Sequence, residues 1–135
     1  EHLIVPTGSP IREMHDLEGR TLAVEYGSGG DVEARRWQRR LSKLAVERYP
    51  DPDGALQAVI NGEADAALVD GISARLAVGQ NPGLSMAGSV TEVLFAAAVP
   101  PESTALLERL NSVLAEMRRD GTLDALTEKW FGPQR

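Results

Sequence analysis

The sequence contains no cysteine, which excludes disulfide frameworks, thiolate zinc sites, iron–sulfur clusters and cysteine nucleophiles. Aromatic residues make up only 4% of the chain, so it has no aromatic run on which nucleic-acid bases could stack. The longest apolar run, from Val93 to Val99, is far shorter than the roughly 20 residues that a membrane-spanning helix requires. These absences remove several classes of protein before any motif is considered.

Basic residues are outnumbered by acidic ones, 14 to 20, and the formal net charge is -6. This balance argues against a nucleic-acid partner, because neutralising phosphates requires a basic face. The exception is a segment that holds Arg35, Arg36, Arg39, Arg40 and Lys43. Apolar residues recur at helical spacing in this segment, so we interpret it as an amphipathic helix with a solvated basic face.

Catalytic groups are also scarce, since His2 and His15 are the only histidines. Neither has the spacing of a metal ligand, and we expect both to be exposed connection residues. The segment Gly71 to Arg75 lacks the second glycine of a nucleophile elbow. No P-loop is present, and Val32 obstructs the dinucleotide-binding pattern, although Glu47 lies at about the right distance for a ribose-binding acid. We therefore predict no metal and no cofactor.

Short apolar strands alternate with helical segments along the first two thirds of the chain. Besides the arginine-rich helix, the pattern predicts helices at 55–61 and 72–78, and strands at 3–5, 21–25, 45–49, 66–69, 84–87 and 93–99. This alternation predicts an α/β fold of three layers, in which helices cover both faces of a mostly parallel sheet of about five strands.

The last third of the chain is predicted to be helical. The segment from Ser103 to Arg119 carries an apolar stripe, and Gly121 stands where a left-handed cap would end the helix. The stripe consists of Leu106, Leu110, Val113 and Met117. A second short helix ends at Trp130 and Phe131. Because Pro100-Pro101 is the sharpest break, we expect an α/β domain of residues 1–100 and a helical tail of residues 101–135.

The most informative motif is the turn Tyr26-Gly27-Ser28-Gly29-Gly30, between a predicted strand and a predicted helix. Glycines let the backbone turn tightly and approach a ligand, and free N–H groups at a helix start favour an anion. A carboxylate or a phosphate would suit such a turn. From composition alone, the segment could equally be a connection without a ligand.

Two acids end strands at the same predicted edge of the sheet. Asp70 follows the strand at 66–69 and Glu25 ends the strand at 21–25. Open α/β sheets bind ligands at the carboxyl ends of their strands. Acids beside an anion-binding turn suit a zwitterion, since N–H groups would hold its carboxylate and an acid its ammonium. Asp70 could instead cap the helix that starts near Ile72.

Three segments in order resemble the family 3 extracellular solute-binding proteins, which are type II periplasmic binding proteins of amino-acid ABC transporters. DLEGRTLAVEYGSGG resembles the segment that opens the second lobe, and ALQAVINGEADAALVD resembles its helix, glycine and strand. LLERLNSVLAEMRRDGTLDALTEKWFG is similar to the carboxyl-terminal signature. Together these segments cover most of Asp16 to Gly132.

The resemblance implies roles for individual residues. Ser28 and Gly29 would offer a hydroxyl and a backbone N–H to the α-carboxylate of an amino acid, and Asp70 would hold its α-amino group. Glu25 departs from the usual pattern and hints at a cationic ligand side chain. With Tyr26, Gly27 and Gly30, these residues complete the expected site.

The resemblance also implies a context for the chain. The partners would be an amino acid and an ABC transporter permease, and the location would be periplasmic or extracellular, although the first residues do not have the pattern of an export signal. The family's first lobe, which supplies an arginine clamp and aromatic walls, is not matched, so we expect weak or absent binding by this chain alone. The apolar tail would fold onto this lobe or onto a second copy, which would give a dimer.

Two alternatives remain open at this point. Some relatives of this family are dehydratases, so the chain could be an enzyme like cyclohexadienyl dehydratase, with Glu25 as general acid. It could also be the ligand-sensing lobe of a signalling receptor. We expect a binding module rather than an enzyme.

Overall fold

A computed structural model describes residues 1–92 and 96–131 of the protein. These residues form two compact units, Glu1–Glu92 and the described residues 96–131. The strands of the first unit are β1 His2–Pro6, β2 Thr21–Glu25, β3 Ala45–Tyr49, β4 Ala66–Val69 and β5 Leu84–Ser89. Its helices are α1 Gly29–Gln38, α2 Pro52–Ile60 and α3 Gly71–Gln80, with a 3-10 helix at Met14–Leu17.

The five strands form one sheet in the order β3-β2-β4-β1-β5. Strand β2 pairs in parallel with both β3 and β4, whereas β1 pairs antiparallel with both β4 and β5. Four strands therefore point in one direction and β1 alone runs against them. The predicted α/β fold with a sheet of about five strands is confirmed, and the direction of β1 makes the sheet mixed.

The three central strands of the sheet are buried on both faces because they carry apolar residues at successive positions. All four residues of β4 are buried, as are the three central residues of β1 and β2. On one face, Leu3, Leu22 and Leu68 pack with Trp37 of α1. On the other face, Ile4 and Ala67 pack with residues of α2 and α3. This three-layer packing is the arrangement that the alternating pattern predicts.

Most predicted elements agree with the observed ones to within a few residues. Helix α2 begins three residues earlier than expected, because the side chain of Asp51 accepts from the N–H of Gly54 and Pro52 fits the first helical position. The 3-10 helix at Met14–Leu17 was not predicted. The first part of the strand expected at Val93–Val99, residues 93–95, lies outside the described residues, and residues 96–99 are in neither a helix nor a strand.

The second unit contains the two predicted helices, α4 Thr104–Arg119 and α5 Thr122–Phe131, with Gly121 between them at φ 80°. In these two helices, no residue is fully buried. Leu106 is 49% exposed and Trp130 is 61% exposed. In the part of the chain that the structure describes, no helix is long and apolar enough to cross a membrane.

Candidate functional site

The glycine-rich turn connects the end of β2 to the start of α1, and its backbone conformation requires glycine at one position. Gly27 has φ 75°, in the left-handed region. Gly30 is buried, and a Cβ added there would lie 2.5 Å from the carbonyl oxygen of Leu68. The turn therefore lies directly against β4, two residues before Asp70.

Ser28 is the N-cap of α1 and its hydroxyl group is occupied within the protein. The hydroxyl donates to the carbonyl oxygen of Glu25 at 2.8 Å and accepts from the N–H of Asp31 at 3.2 Å. The N–H groups of Gly27 and Ser28 also have acceptors. Within the described structure, the N–H groups of Gly29 and Gly30 have none. These two amides are the free donors at the helix start.

Asp31, one turn into α1, is a completely buried charged residue that sequence reasoning missed. It accepts from the N–H of Gly27 at 3.1 Å and from Nε of Arg48 at 2.9 Å. Arg35 donates to it through Nε at 3.2 Å and through Nη2. Hydrogen bonds from Arg35 above all, with those from Gly27 and Arg48, outweigh desolvation and lower its pKa to about 2. Asp31 is therefore ionised at neutral pH.

Asp70 lies at the N-terminus of α3 and caps that helix. Its carboxylate accepts from the N–H of Ile72 at 2.8 Å, from the N–H of Ser73 at 3.1 Å and from the hydroxyl of Ser73 at 2.5 Å. Burial raises the pKa of Asp70, but the hydrogen bonds from Ser73 and Ile72 outweigh it, so the pKa is lowered. The capping alternative is thus realised, while the side chain stays exposed to solvent.

Strand register brings the turn and Asp70 to one edge of the sheet. Val24 pairs with Leu68 across β2 and β4, so both strands reach this edge at the same level. His2 pairs with Val69 across the antiparallel β1 and β4, which puts the start of β1 at the same edge. Sheet neighbours are about 5 Å apart, so Glu1, Asp70 and the turn form one continuous rim.

Glu1 and His2 are two further rim residues that sequence reasoning missed. The carboxylate of Glu1 lies against Gly29 and leaves its Oε2 buried without a partner. His2 was expected to be an exposed connection residue, and that expectation is wrong: it belongs to β1, is partly buried, and its ring lies beside Gly71. His15 is exposed, and its ring meets that of Trp37 edge-on.

Acidic groups dominate the rim. Desolvation raises the pKa of Glu1, and the negative charges of Asp70 and Glu25 raise it further against the opposing effect of the terminal amine. Desolvation lowers the pKa of His2, as do the terminal amine and Arg75. Among the ion pairs of the described residues, none involves Glu1, Glu25 or Asp70. Residues 1–92 and 96–131 contain no cluster of three or more histidine, aspartate or glutamate side chains that could hold a metal ion.

The seven predicted site residues are thus found at one rim. Glu25 is partly exposed at the end of β2, and Tyr26 is 70% exposed beside it. Asp31 could have been recognised from the sequence, because Ser28-Gly-Gly-Asp31 has the spacing of a capping box. Glu1 and His2 could not, because a single sequence does not give the direction of β1.

A comparison with protein families matches residues 1–133 to the bacterial extracellular solute-binding proteins, family 3. The chain belongs to this family. The resemblance seen in the sequence motifs is therefore confirmed.

Individual members of family 3 resemble the chain over most of its length. The L-cystine-binding protein TcyJ of Escherichia coli K12 is 33% identical over 125 residues, which are 90% of this chain and 46% of that protein. The ABC transporter arginine-binding protein 1 of the same organism is 28% identical and covered to 54%, with 96% of this chain aligned. The chain thus spans about half the length of these curated relatives.

A solved structure supports the fold independently. The second substrate-binding domain of Lactococcus lactis GlnP, in its open conformation, superimposes with a TM-score of 0.86 at 20% identity. The match covers 99% of this chain and 59% of that one. At this identity the likeness shows the fold alone, which is an α/β fold that matches a lobe of a type II periplasmic binding protein.

Proposed function

We propose that the chain binds an amino acid at the rim formed by the glycine turn and Asp70. The amides of Gly29 and Gly30 would hold the α-carboxylate, and Asp70 would pair with the α-ammonium. Glu25 and Tyr26 would border the ligand's side chain. Family membership supports solute binding, and the relatives named for cystine and arginine support an amino acid.

The observation that carries the proposal is the pair of amides without acceptors next to an exposed carboxylate. Unpaired N–H groups at a helix start attract an anion, and α1 is long enough, at 10 residues, for its dipole to contribute. The side chain of Asp70 stays exposed to solvent although both of its carboxylate oxygens accept capping hydrogen bonds. A zwitterion fits this pair of opposite preferences better than an anion or a cation alone.

We assign Ser28 a different role from the one that the family resemblance implied. Its only hydroxyl proton is donated to the carbonyl of Glu25, so it shapes the turn instead of donating to a carboxylate. We assign the ligand carboxylate to the backbone amides for this reason. The carboxylate of Glu1, which lies against Gly29, would have to turn aside when a ligand carboxylate arrives.

The wider role would be ligand capture for an ABC-type uptake system in the periplasm or outside the cell, with a permease as partner. We place the ligand-binding lobe in residues 1–100 and the helical tail in residues 101–135. A binding module is favoured over a dehydratase, since the relatives are named for binding and Glu25 is partly exposed instead of enclosed.

Nuclear magnetic resonance titration of the 15N-labelled chain with the 20 common L-amino acids and L-cystine tests the proposal. We expect millimolar binding, because one rim without a facing wall buries little of the ligand. The amides of Gly29 and Gly30 should shift most. In the Asp70→Asn variant, which keeps a capping oxygen, affinity should fall roughly tenfold through loss of the charge-assisted bond.

Asp53→Asn is the matched control, because Asp53 is an exposed acid in the first turn of α2 and makes no side-chain hydrogen bond in the described structure. It should bind like the parent chain. Equal affinity of the Asp70→Asn variant and the parent would show that Asp70 is only a helix cap. Absence of saturable shifts at the glycine turn with every amino acid would refute the site.

A further inference from the structure

Two arginines lie behind the glycine turn and share one buried carboxylate. Nε of Arg48 and Nε of Arg35 both donate to Oδ1 of Asp31, at 2.9 and 3.2 Å, and Nη2 of Arg35 donates to Oδ2. The side chain of Asp31 is fully buried, whereas those of Arg35 and Arg48 are 50% and 34% exposed. The cluster of Asp31, Arg35 and Arg48 therefore carries one net positive charge.

This cluster is bonded to the residues that form the turn. Oδ2 of Asp31 accepts from the N–H of Gly27 at 3.1 Å, and the N–H of Asp31 donates to Oγ of Ser28 at 3.2 Å. The two free amides, those of Gly29 and Gly30, lie between these contacts in the sequence. The side chains of Asp31, Arg35 and Arg48 thus determine both the position of the free amides and the charge behind them.

We propose that Arg35 and Arg48 are positioning residues for a ligand carboxylate, because they neutralise Asp31 and make the region behind the Gly29 amide positive. This inference rests on the proposed function, which places a carboxylate at the turn. On the solvent side, the turn faces Glu1, Glu25 and Asp70, all acids without ion-pair partners in the described structure. Without the arginines, a ligand carboxylate would meet negative charge on both sides.

The test compares amino acids with their α-carboxamides, which lack the carboxylate. L-Arginine and L-argininamide, and L-glutamine and L-glutaminamide, are titrated into the labelled 135-residue chain at low ionic strength. The proposed contacts at the rim involve the α-carboxylate and the α-ammonium, which arginine and glutamine share. Both pairs of ligands should therefore report on these contacts. The measured quantity is the ratio of acid to amide affinity, read from the shifts of Gly29 and Gly30.

Arg35→Met and Arg48→Met should each lower this ratio roughly fivefold, because each change removes one unit charge and a solvent-screened charge interaction is worth up to about 1 kcal/mol. Arg36→Met is the matched control: Arg36 is on the same helix and pairs with Glu33 at 2.9 Å, away from Asp31. It should leave the ratio unchanged. A purely structural loss would weaken acid and amide alike and would not change the ratio.

Arg35→Lys and Arg48→Lys keep the charge and should hold the ratio within twofold of the parent chain. They also decide the question if a methionine variant does not fold, because a fivefold loss in the lysine variants would overturn the role of charge. If the methionine variants keep the parent ratio, the inference is wrong while the proposed function stands. If the parent itself does not favour acid over amide, the carboxylate site, and with it the proposed function, is wrong.

Discussion

At the scale of single residues, the rim depends on side chains that each have two tasks. Asp70 caps α3 and presents a carboxylate to solvent, and Ser28 caps α1 while bracing the carbonyl of Glu25. Asp31 makes no contact with solvent, yet it fixes the N–H of Gly27. The sequence indicated the residues that are exposed at the rim, because turn and strand-end patterns are local. The arginine donors to Asp31 could not all be foreseen, since Arg48 comes from β3 and not from α1.

Asp31 should make the stability of the protein depend on pH in the acid range. Its pKa is lowered from 3.8 to about 2 in the folded state, so the folded state is favoured by ionisation. This contribution is fully present above pH 4 and is lost as the pH falls toward 2. It amounts to at most about 2 kcal/mol, and to less in practice because both arginines are partly exposed to solvent.

Urea unfolding of the parent chain and of Asp31→Asn from pH 7 to pH 2 measures this contribution. The parent should be more stable than Asp31→Asn at pH 7, and this gap in unfolding free energy should narrow steadily below pH 4. Asp53→Asn is the control that should show no such gap. A gap that stays constant down to pH 2 would contradict the assignment of the low pKa to Asp31.

At the scale of elements, the positions of strands and helices could be predicted from apolar runs and from glycine and proline residues. The direction of the strands and the contacts between elements could not. The runs at β2, β3 and β4 were predicted with their observed bounds, because each is short, apolar or β-branched and bounded by turn residues. The antiparallel direction of β1 could not be predicted, since a short apolar strand such as His2–Pro6 fits a parallel or an antiparallel position equally well. This one element decides that Glu1 and His2 reach the rim. The fold class was therefore predictable from the sequence, whereas the presence of Glu1 and His2 at the rim was not.

The close contact between α1 and β4 should make Gly30 sensitive to the smallest enlargement. A Cβ at residue 30 would lie 2.5 Å from the carbonyl oxygen of Leu68, which is backbone and cannot move aside without shifting the strand. We expect Gly30→Ala to cost about 1–3 kcal/mol of unfolding free energy through this overlap, reduced by the better helix propensity of alanine.

Gly54→Ala is the comparison variant, because Gly54 is also in the first turn of a helix and an added Cβ would lie 3.2 Å from the Cβ of Tyr49, a milder overlap than the one at residue 30. Thermal unfolding followed by circular dichroism should give Gly30→Ala a lower unfolding temperature than Gly54→Ala. The reverse order would mean that the helix start is not held against β4.

At the scale of the whole molecule, the chain combines one rim with a helical unit that buries little of its own apolar surface. Leu106, Leu107, Leu114 and Leu126 are each between 37% and 49% exposed, and Trp130 is 61% exposed. Exposed apolar residues in such number often mark an interaction site. The family's relatives are about twice as long, so in a longer protein other segments could supply the cover.

In a solution of this chain alone, a second copy can supply that cover, and we therefore propose that the chain forms a dimer through α4 and α5. Light scattering after size-exclusion chromatography should give a mass that rises toward twice 14.5 kDa between about 10 and 300 µM chain. The double variant Leu106→Glu, Leu114→Glu should remain monomeric over this range, since burying two carboxylates in an apolar contact is unfavourable.

The control is Ile60→Glu, which changes an equally exposed apolar residue of the first unit, 46% exposed. This variant should still associate. A monomer at every concentration, or association that only Ile60→Glu abolishes, would show that the tail helices are not the contact.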